Sequence, residues 1–181
     1  MYNWSLAALA AAALAVAPMA ADAHGPSRQK VTETVAVAAA PDAVWARIGN
    51  FQDMSWHPAV AQTTGEGGNA IDATRELRLG DPQGPTIDEV LYKYDAAKRT
   101  YSYRIEQVEL TTLPVSNYSA HLTVKDGPNG GSVIEWRGAF YRGFPNNDPP
   151  PELSDEAVVN AVTSVYRLGL DALQAEFGAA N

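Results

Sequence analysis

The sequence predicts an α+β domain: a seven-stranded antiparallel sheet wrapped round one long C-terminal helix, with two short helices after the first strand. Three observations predict it. Short β-branched and aromatic runs alternate with Gly, Pro, Asn and Asp clusters through the middle of the chain. Two of those clusters have the length and composition of hairpin loops. The C-terminal segment then switches to apolar residues at helical spacing. With 181 residues, 46% apolar and 19% charged, the chain can build one core and is neither disordered nor a coiled coil.

The N-terminus precedes that domain. Leu6 to Ala17 is an unbroken run of twelve Leu, Ala and Val residues. A bilayer span needs about twenty apolar residues, so this run has the length of a secretory-signal centre. Pro18 breaks it, and Ala21-Asp22-Ala23 supplies small residues at the cleavage positions, although Met1 to Ser5 carries no Lys or Arg. Residues 1–23 are therefore expected to be a signal peptide cut after Ala23, leaving 24–181 as a single domain in the periplasm with no membrane contact. Losing Asp22 takes the net charge from −8 to −7.

Gln29 to Ala39 reads as the first strand, with Val31, Val35 and Val37 among β-branched neighbours. Pro41 suits the first turn of a helix, Asp42 its positive end, and Val44, Trp45 and Ile48 one apolar face, with Gly49-Asn50 as the stop. Phe51 to Trp56 is expected to form a second short helical piece. Six strands follow, among them Ala73–Leu79, Thr86–Tyr94, Arg99–Val108, Ser116–Val124 and Ser132–Tyr141. Asp95–Lys98 and Asp126–Gly131 are the hairpin connections. Pro149-Pro150-Pro151 ends the β region, and Ser154 with Asp155 and Glu156 starts a helix. Val158, Val162, Tyr166, Leu170 and Leu173 then mark its buried stripe.

Composition excludes several functions. With 13 Lys and Arg against 21 Asp and Glu the chain lacks the basic surface that nucleic acid requires, and with no Cys it has no thiolate chemistry, zinc finger or iron–sulfur cluster. Gly65-Glu66-Gly67-Gly68 lacks the Lys and Ser/Thr of a phosphate loop. No HxH or HxxxH spacing supports a metal site. Asp53, Ser55 and His57 are too close in sequence to align as a catalytic triad, and His121 is out of phase with Tyr118 and Leu122, which points it to solvent.

Strand parity sets the interior. Tyr101, Tyr103 and Ile105 share a face, as do Tyr118, Ala120 and Leu122, and Ile134, Trp136 and Phe140. Aromatics on a concave sheet opposite a helix can leave a cavity. Glu89 shares its face with Ile87 and Leu91. It would either meet a ligand in that cavity or pair with Arg75, Arg78 or Arg104 as structural glue. The Pro- and Asn-rich loop from Tyr141 to Pro151, with Phe144, reads as partner contact or cavity gate.

Ala40-Pro41-Asp42-Ala43-Val44-Trp45, Gly49-Asn50-Phe51 and Trp56-His57-Pro58 open a series of motifs. Glu89-Val90-Leu91 with Tyr94-Asp95, Leu113 to Tyr118, and Glu135-Trp136 near Phe140 continue it. In order and spacing these resemble the helix-grip proteins of START and birch-pollen-allergen type, the SRPBCC superfamily, over nearly the whole mature chain. The stretches Phe140–Arg142, Asn146–Pro150, Leu153–Ala157 and Ala161–Thr163 are similar to the MxaD-type proteins of methylotrophs. That resemblance implies a periplasmic, non-enzymatic accessory of methanol oxidation that assists methanol dehydrogenase and its cytochrome c acceptor. In hormone-receptor relatives, residues matching Glu89 and the pair Asn117-Tyr118 line the ligand cavity. The alternatives are a carrier of a small hydrophobic ligand or a polyketide-cyclase-like enzyme working through Glu89. Candidate ligand-binding residues are Trp56, His57, Glu89, Leu91, Tyr101, Tyr103, Tyr118, Trp136, Phe140, Val162 and Tyr166. No catalytic residue, metal or cofactor is assigned.

Overall fold

The computed structural model describes residues 25–180, so the expected signal peptide lies outside the described residues. Strand β1 (Gln29–Val37) leads into helix α1 (Pro41–Ile48). Then come β2 (Val60–Thr64), β3 (Thr74–Leu79), β4 (Thr86–Asp95), β5 (Thr100–Val108), β6 (Val115–Asp126) and β7 (Ser132–Arg142), and the chain closes with α2 (Asp155–Phe177). The seven strands form one sheet in the order β1-β7-β6-β5-β4-β3-β2, with every pair antiparallel. This is the helix-grip fold, with two α-helices rather than the three expected.

The missing helix has a local cause. Between Phe51 and His57 the chain makes turns, because Asn50 Oδ1 accepts from the Gln52 N–H at 3.1 Å and Asp53 Oδ1 from the Ser55 N–H at 2.9 Å. Asn69 Oδ1 takes the Phe51 N–H at 2.8 Å. Side chains that satisfy backbone donors two residues ahead compete with a helix ladder, and here they win.

Both expected hairpins form. Asp95 Oδ1 accepts from the Lys98 N–H at 3.0 Å in the first, and Asn129, at φ 55°, turns the second. In α2 the Ser154 hydroxyl caps the start by accepting from the Ala157 N–H at 3.2 Å. Val158, Val162, Tyr166, Leu170 and Leu173 are all buried against the sheet. The helix also closes the open edge of β1. Arg167 donates to the Thr34 carbonyl at 3.0 Å, Gln174 donates to the Ala36 carbonyl at 3.1 Å, and Ala179 bridges to Val37 beyond the helix end. An edge strand with its carbonyls taken cannot recruit a stray strand.

Candidate site in the hollow of the sheet

The parity reading holds residue by residue. Tyr101, Tyr103, Tyr118, Trp136 and Phe140 are buried on the concave face, and Trp56, His57, Glu89, Leu91, Val162 and Tyr166 are buried around them. Tyr118 reaches inward because β6 bulges between Ser116 and Ser119, where Asn117 adopts φ 47°. Asn tolerates that left-handed conformation. Asn117 itself is exposed and stays off the cavity wall, so the Asn-Tyr likeness to the hormone-receptor relatives carries over to Tyr118 alone.

Aromatic packing fills most of the hollow. Trp136 stacks on Tyr166 with ring centres 4.4 Å apart and donates its indole N–H to the Tyr103 hydroxyl at 3.0 Å. The Tyr118 and Tyr166 hydroxyls hydrogen-bond at 2.5 Å. Burial raises the pKa of Tyr103, Tyr118 and Tyr166 above the usual phenol range, which keeps these hydroxyls protonated at neutral pH. What remains open is a cavity of about 70 Å³. Of the eleven expected ligand-binding residues, His57, Glu89, Tyr103, Tyr118 and Trp136 lie on its wall. Leu91, Tyr101, Phe140, Val162, Trp56 and Tyr166 are core around it. Sequence reasoning missed Met54, Leu77, Leu113 and Val165 on that wall; Ile87, expected on the face of Glu89, and Arg75, expected only as a possible partner of Glu89, line it too.

Arg75 settles the pairing of Glu89. The two are register partners on β3 and β4, so they share the concave face, and Arg75 Nε donates to Glu89 Oε2 at 2.5 Å. Arg78 pairs instead with Glu76, and Arg104 with Glu106. Arg75 Nη1 donates to the Phe51 carbonyl at 2.6 Å, and the guanidinium lies over the rings of Phe51 (4.2 Å) and Tyr103 (4.8 Å). Burial opposes the Arg75 charge most strongly of any single cause, but the Glu89 carboxylate together with Tyr101 and Tyr103 outweighs it and the net shift is upward. Burial also pushes the Glu89 carboxyl up, against the pull of Arg75. The guanidinium cannot shed its proton, so the ion pair forms whenever Glu89 is ionised. Among the described residues Arg75 Nη2 meets no acceptor in good hydrogen-bonding geometry. Burial pushes the Tyr101 pKa up, and the guanidinium is near enough to its hydroxyl to pull it part of the way back down.

His57 is fixed as a neutral tautomer. Its Nδ1 accepts from the Ala59 N–H at 3.2 Å, which leaves Nε2–H to donate to the Val165 carbonyl at 3.0 Å. Burial lowers its pKa. Asp53 turns to the Ser55 backbone and Arg47, so no Ser–His–Asp set exists. Gly169 makes the His57 contact possible, since a Cβ there would come within 2.5 Å of the imidazole and 3.0 Å of Trp56. On the outer face His121 is half-buried rather than fully in solvent, its Nδ1 2.6 Å from the Ser102 hydroxyl.

A second buried arginine organises the loop after β7. Arg142 continues the inward parity of Trp136 and Phe140. It donates to the carbonyls of Phe144 (3.1 Å) and Asn146 (2.8 Å) and to Asp155 at the start of α2 (3.0 Å). Phe144 is half-buried. Among the described residues no cluster of His, Asp and Glu could hold a metal, and no helix is long and apolar enough to cross a membrane.

A curled antiparallel sheet gripping a terminal helix over a narrow, mostly apolar hollow is the helix-grip architecture. The chain belongs to the polyketide cyclase / dehydrase and lipid transport family of the SRPBCC superfamily, whose family model matches residues 28–178. The solved protein XoxI from Bacillus cereus is 32% identical over 82% of this chain and 94% of its own, with a TM-score of 0.68. An uncharacterised protein from Bacillus thuringiensis is 30% identical over 83% and 98%, with a TM-score of 0.66. The ZhuI aromatase/cyclase from Streptomyces has a TM-score of 0.66 at 18% identity, covering 83% of this chain and 93% of its own, a likeness of fold alone. Curated protein sequences give no match.

Proposed function

We propose that the protein is a periplasmic, non-enzymatic accessory of methanol oxidation that assists the meeting of methanol dehydrogenase with its c-type cytochrome. One observation carries the reading. The segment that resembles the MxaD-type tail, Phe140 to Thr163, is the segment that buried Arg142 fastens from within. A plain linker needs no buried guanidinium on its carbonyls. A contact loop gains from one, because a loop already ordered loses less entropy on binding. The cavity supports the same reading by its size, about 70 Å³ against the roughly 300 Å³ that a carrier or cyclase of sizeable molecules requires. Glu89, the residue a cyclase-like reaction would use, is engaged by Arg75. The test is electron transfer from the dehydrogenase to the cytochrome with and without this protein, beside a pull-down of each partner. A faster transfer that the Arg142→Ala variant fails to give supports the reading. An unchanged rate with no binding to either partner overturns it.

One observation favours a second reading. Arg75 lines the cavity with its guanidinium against the Phe51 and Tyr103 rings and two of its nitrogens engaged, so Nη2 is the donor left for a ligand. The cavity would then take a molecule of a few non-hydrogen atoms presenting an acceptor oxygen. Native mass spectrometry of protein from its own periplasm should show the added mass, and a clean unliganded mass discards this reading.

A further inference from the structure

Two adjacent ranks across the outer face of the sheet carry charge opposite in sign to the molecule as a whole. Register aligns Thr32, Arg137, His121, Ser102 and Lys93 in one rank across β1, β7, β6, β5 and β4. The next rank is Lys30, Ala139, Ser119, Arg104 and Val90. These ten positions hold four cations, all exposed, and no carboxylate. Arg137 and Arg104 each have one acidic neighbour, Glu135 and Glu106, whereas Lys30 and Lys93 make no ion pair among the described residues. The field reaches the middle of the face: burial first, then Arg137 and Lys93, hold the His121 imidazole below its usual range. By contrast α2 carries Asp155, Glu156, Asp171 and Glu176 against Arg167 alone.

The shape suits a protein surface. Strands lie about 4.8 Å apart, so the five-strand rank is roughly 19 Å wide. Its cations stand on the two flanks, and the short side chains of Thr32, Ser102, Ser119 and Ala139 form a floor between them. A depression of about 260 Å³ beside Lys30, His121 and Arg137 has room for a carboxylate side chain.

We propose that this face docks a partner protein through a carboxylate-rich surface, with Lys30, Arg137, Arg104 and Lys93 receiving its Asp and Glu side chains. A bilayer is the poorer match. No large apolar side chain is exposed on either rank to enter it. The proposal deepens the accessory role by giving it a second face of opposite charge to the helix side. Its test needs neither dehydrogenase nor cytochrome, so the two can fail separately.

The test is a 15N NMR titration with poly-L-glutamate at low salt, repeated with phosphatidylglycerol vesicles and with a Lys30→Glu/Lys93→Glu variant. Both lysines are exposed and unpaired, so the variant keeps its fold, which its own spectrum verifies. Shifts should cluster at Thr32, Ser119, His121, Arg137 and Ala139. The double reversal should weaken binding about tenfold or more, and moderate salt should abolish it. Shifts mapping to another face, equal binding by the variant, or tighter binding of the vesicles at the same residues would each overturn the proposal.

Discussion

Arg75 and Glu89 form an ion pair with an asymmetry that can be measured. Their side chains are 1% and 5% exposed, so breaking the pair strands a charge away from water at a cost of about 3–5 kcal/mol. The outcome depends on which partner is removed. In Glu89→Gln the guanidinium stays charged at every accessible pH, so the full penalty stands. For a domain of this size that lowers Tm by roughly 6–20 °C at any pH from 5 to 8. In Arg75→Met the stranded group is a carboxyl, which can take up a proton instead. Burial already raises the Glu89 pKa, and losing the nearby cation raises it further. The folded state then holds a proton that the unfolded state releases above its ordinary value of 4.5, so stability falls as pH rises. The slope is about 1.4 kcal/mol per pH unit until the folded-state pKa is reached. Urea unfolding of both variants at pH 5 and pH 7 tests the argument. Relative to Glu89→Gln, which keeps only the rise that His57 gives, Arg75→Met should lose stability between the two values. Parallel curves for the two would refute the reasoning.

Three further outcomes are expected. Gly169→Ala, which in an exposed helix would stabilise by about 1 kcal/mol, should instead destabilise by about 1–3 kcal/mol in thermal melts, because the new methyl meets His57 and Trp56. His57 has a lowered pKa, so the unfolded state binds the extra proton as pH falls below 6.5 and stability drops from there downward. The difference between wild type and His57→Gln, followed by urea midpoints from pH 7.5 to 5, should isolate that loss from the opposite trend of Glu89. Arg142→Ala should speed amide hydrogen exchange between 143 and 150 by about tenfold or more, while the β4–β5 hairpin exchanges as before.

Much of this fold is legible in the sequence because period-two and helical patterns are read one element at a time. Tyr101 and Tyr103, or Trp136 and Phe140, need only their own strand to be assigned inward. The same parity applied two residues further would have found Arg142 as a buried anchor instead of a loop residue. The Phe51–Trp56 stretch misled because its conformation is decided by the Asn50, Asp53 and Asn69 side chains, and Asn69 is remote in sequence. Strand β2, Val60 to Thr64, has exposed or half-buried residues throughout and shows no alternation to read. The choice among three arginines for Glu89 required the register of β3 on β4, which no single strand contains. Cavity volume is harder still, since it is what remains after Trp136, Tyr166 and their neighbours have packed.

The pairing of β1 with β7 joins Gln29–Val37 to Ser132–Arg142, so nearly the whole chain must be synthesised before its first strand finds a neighbour. Only then does α2 have an edge to fasten. A nascent chain shorter than this must therefore stay loose, with its first strand unpaired and available to chaperones or to wrong partners. Pairing of the first strand thus waits for β7, and a truncation inside α2 should harm the beginning of the domain as much as the helix itself.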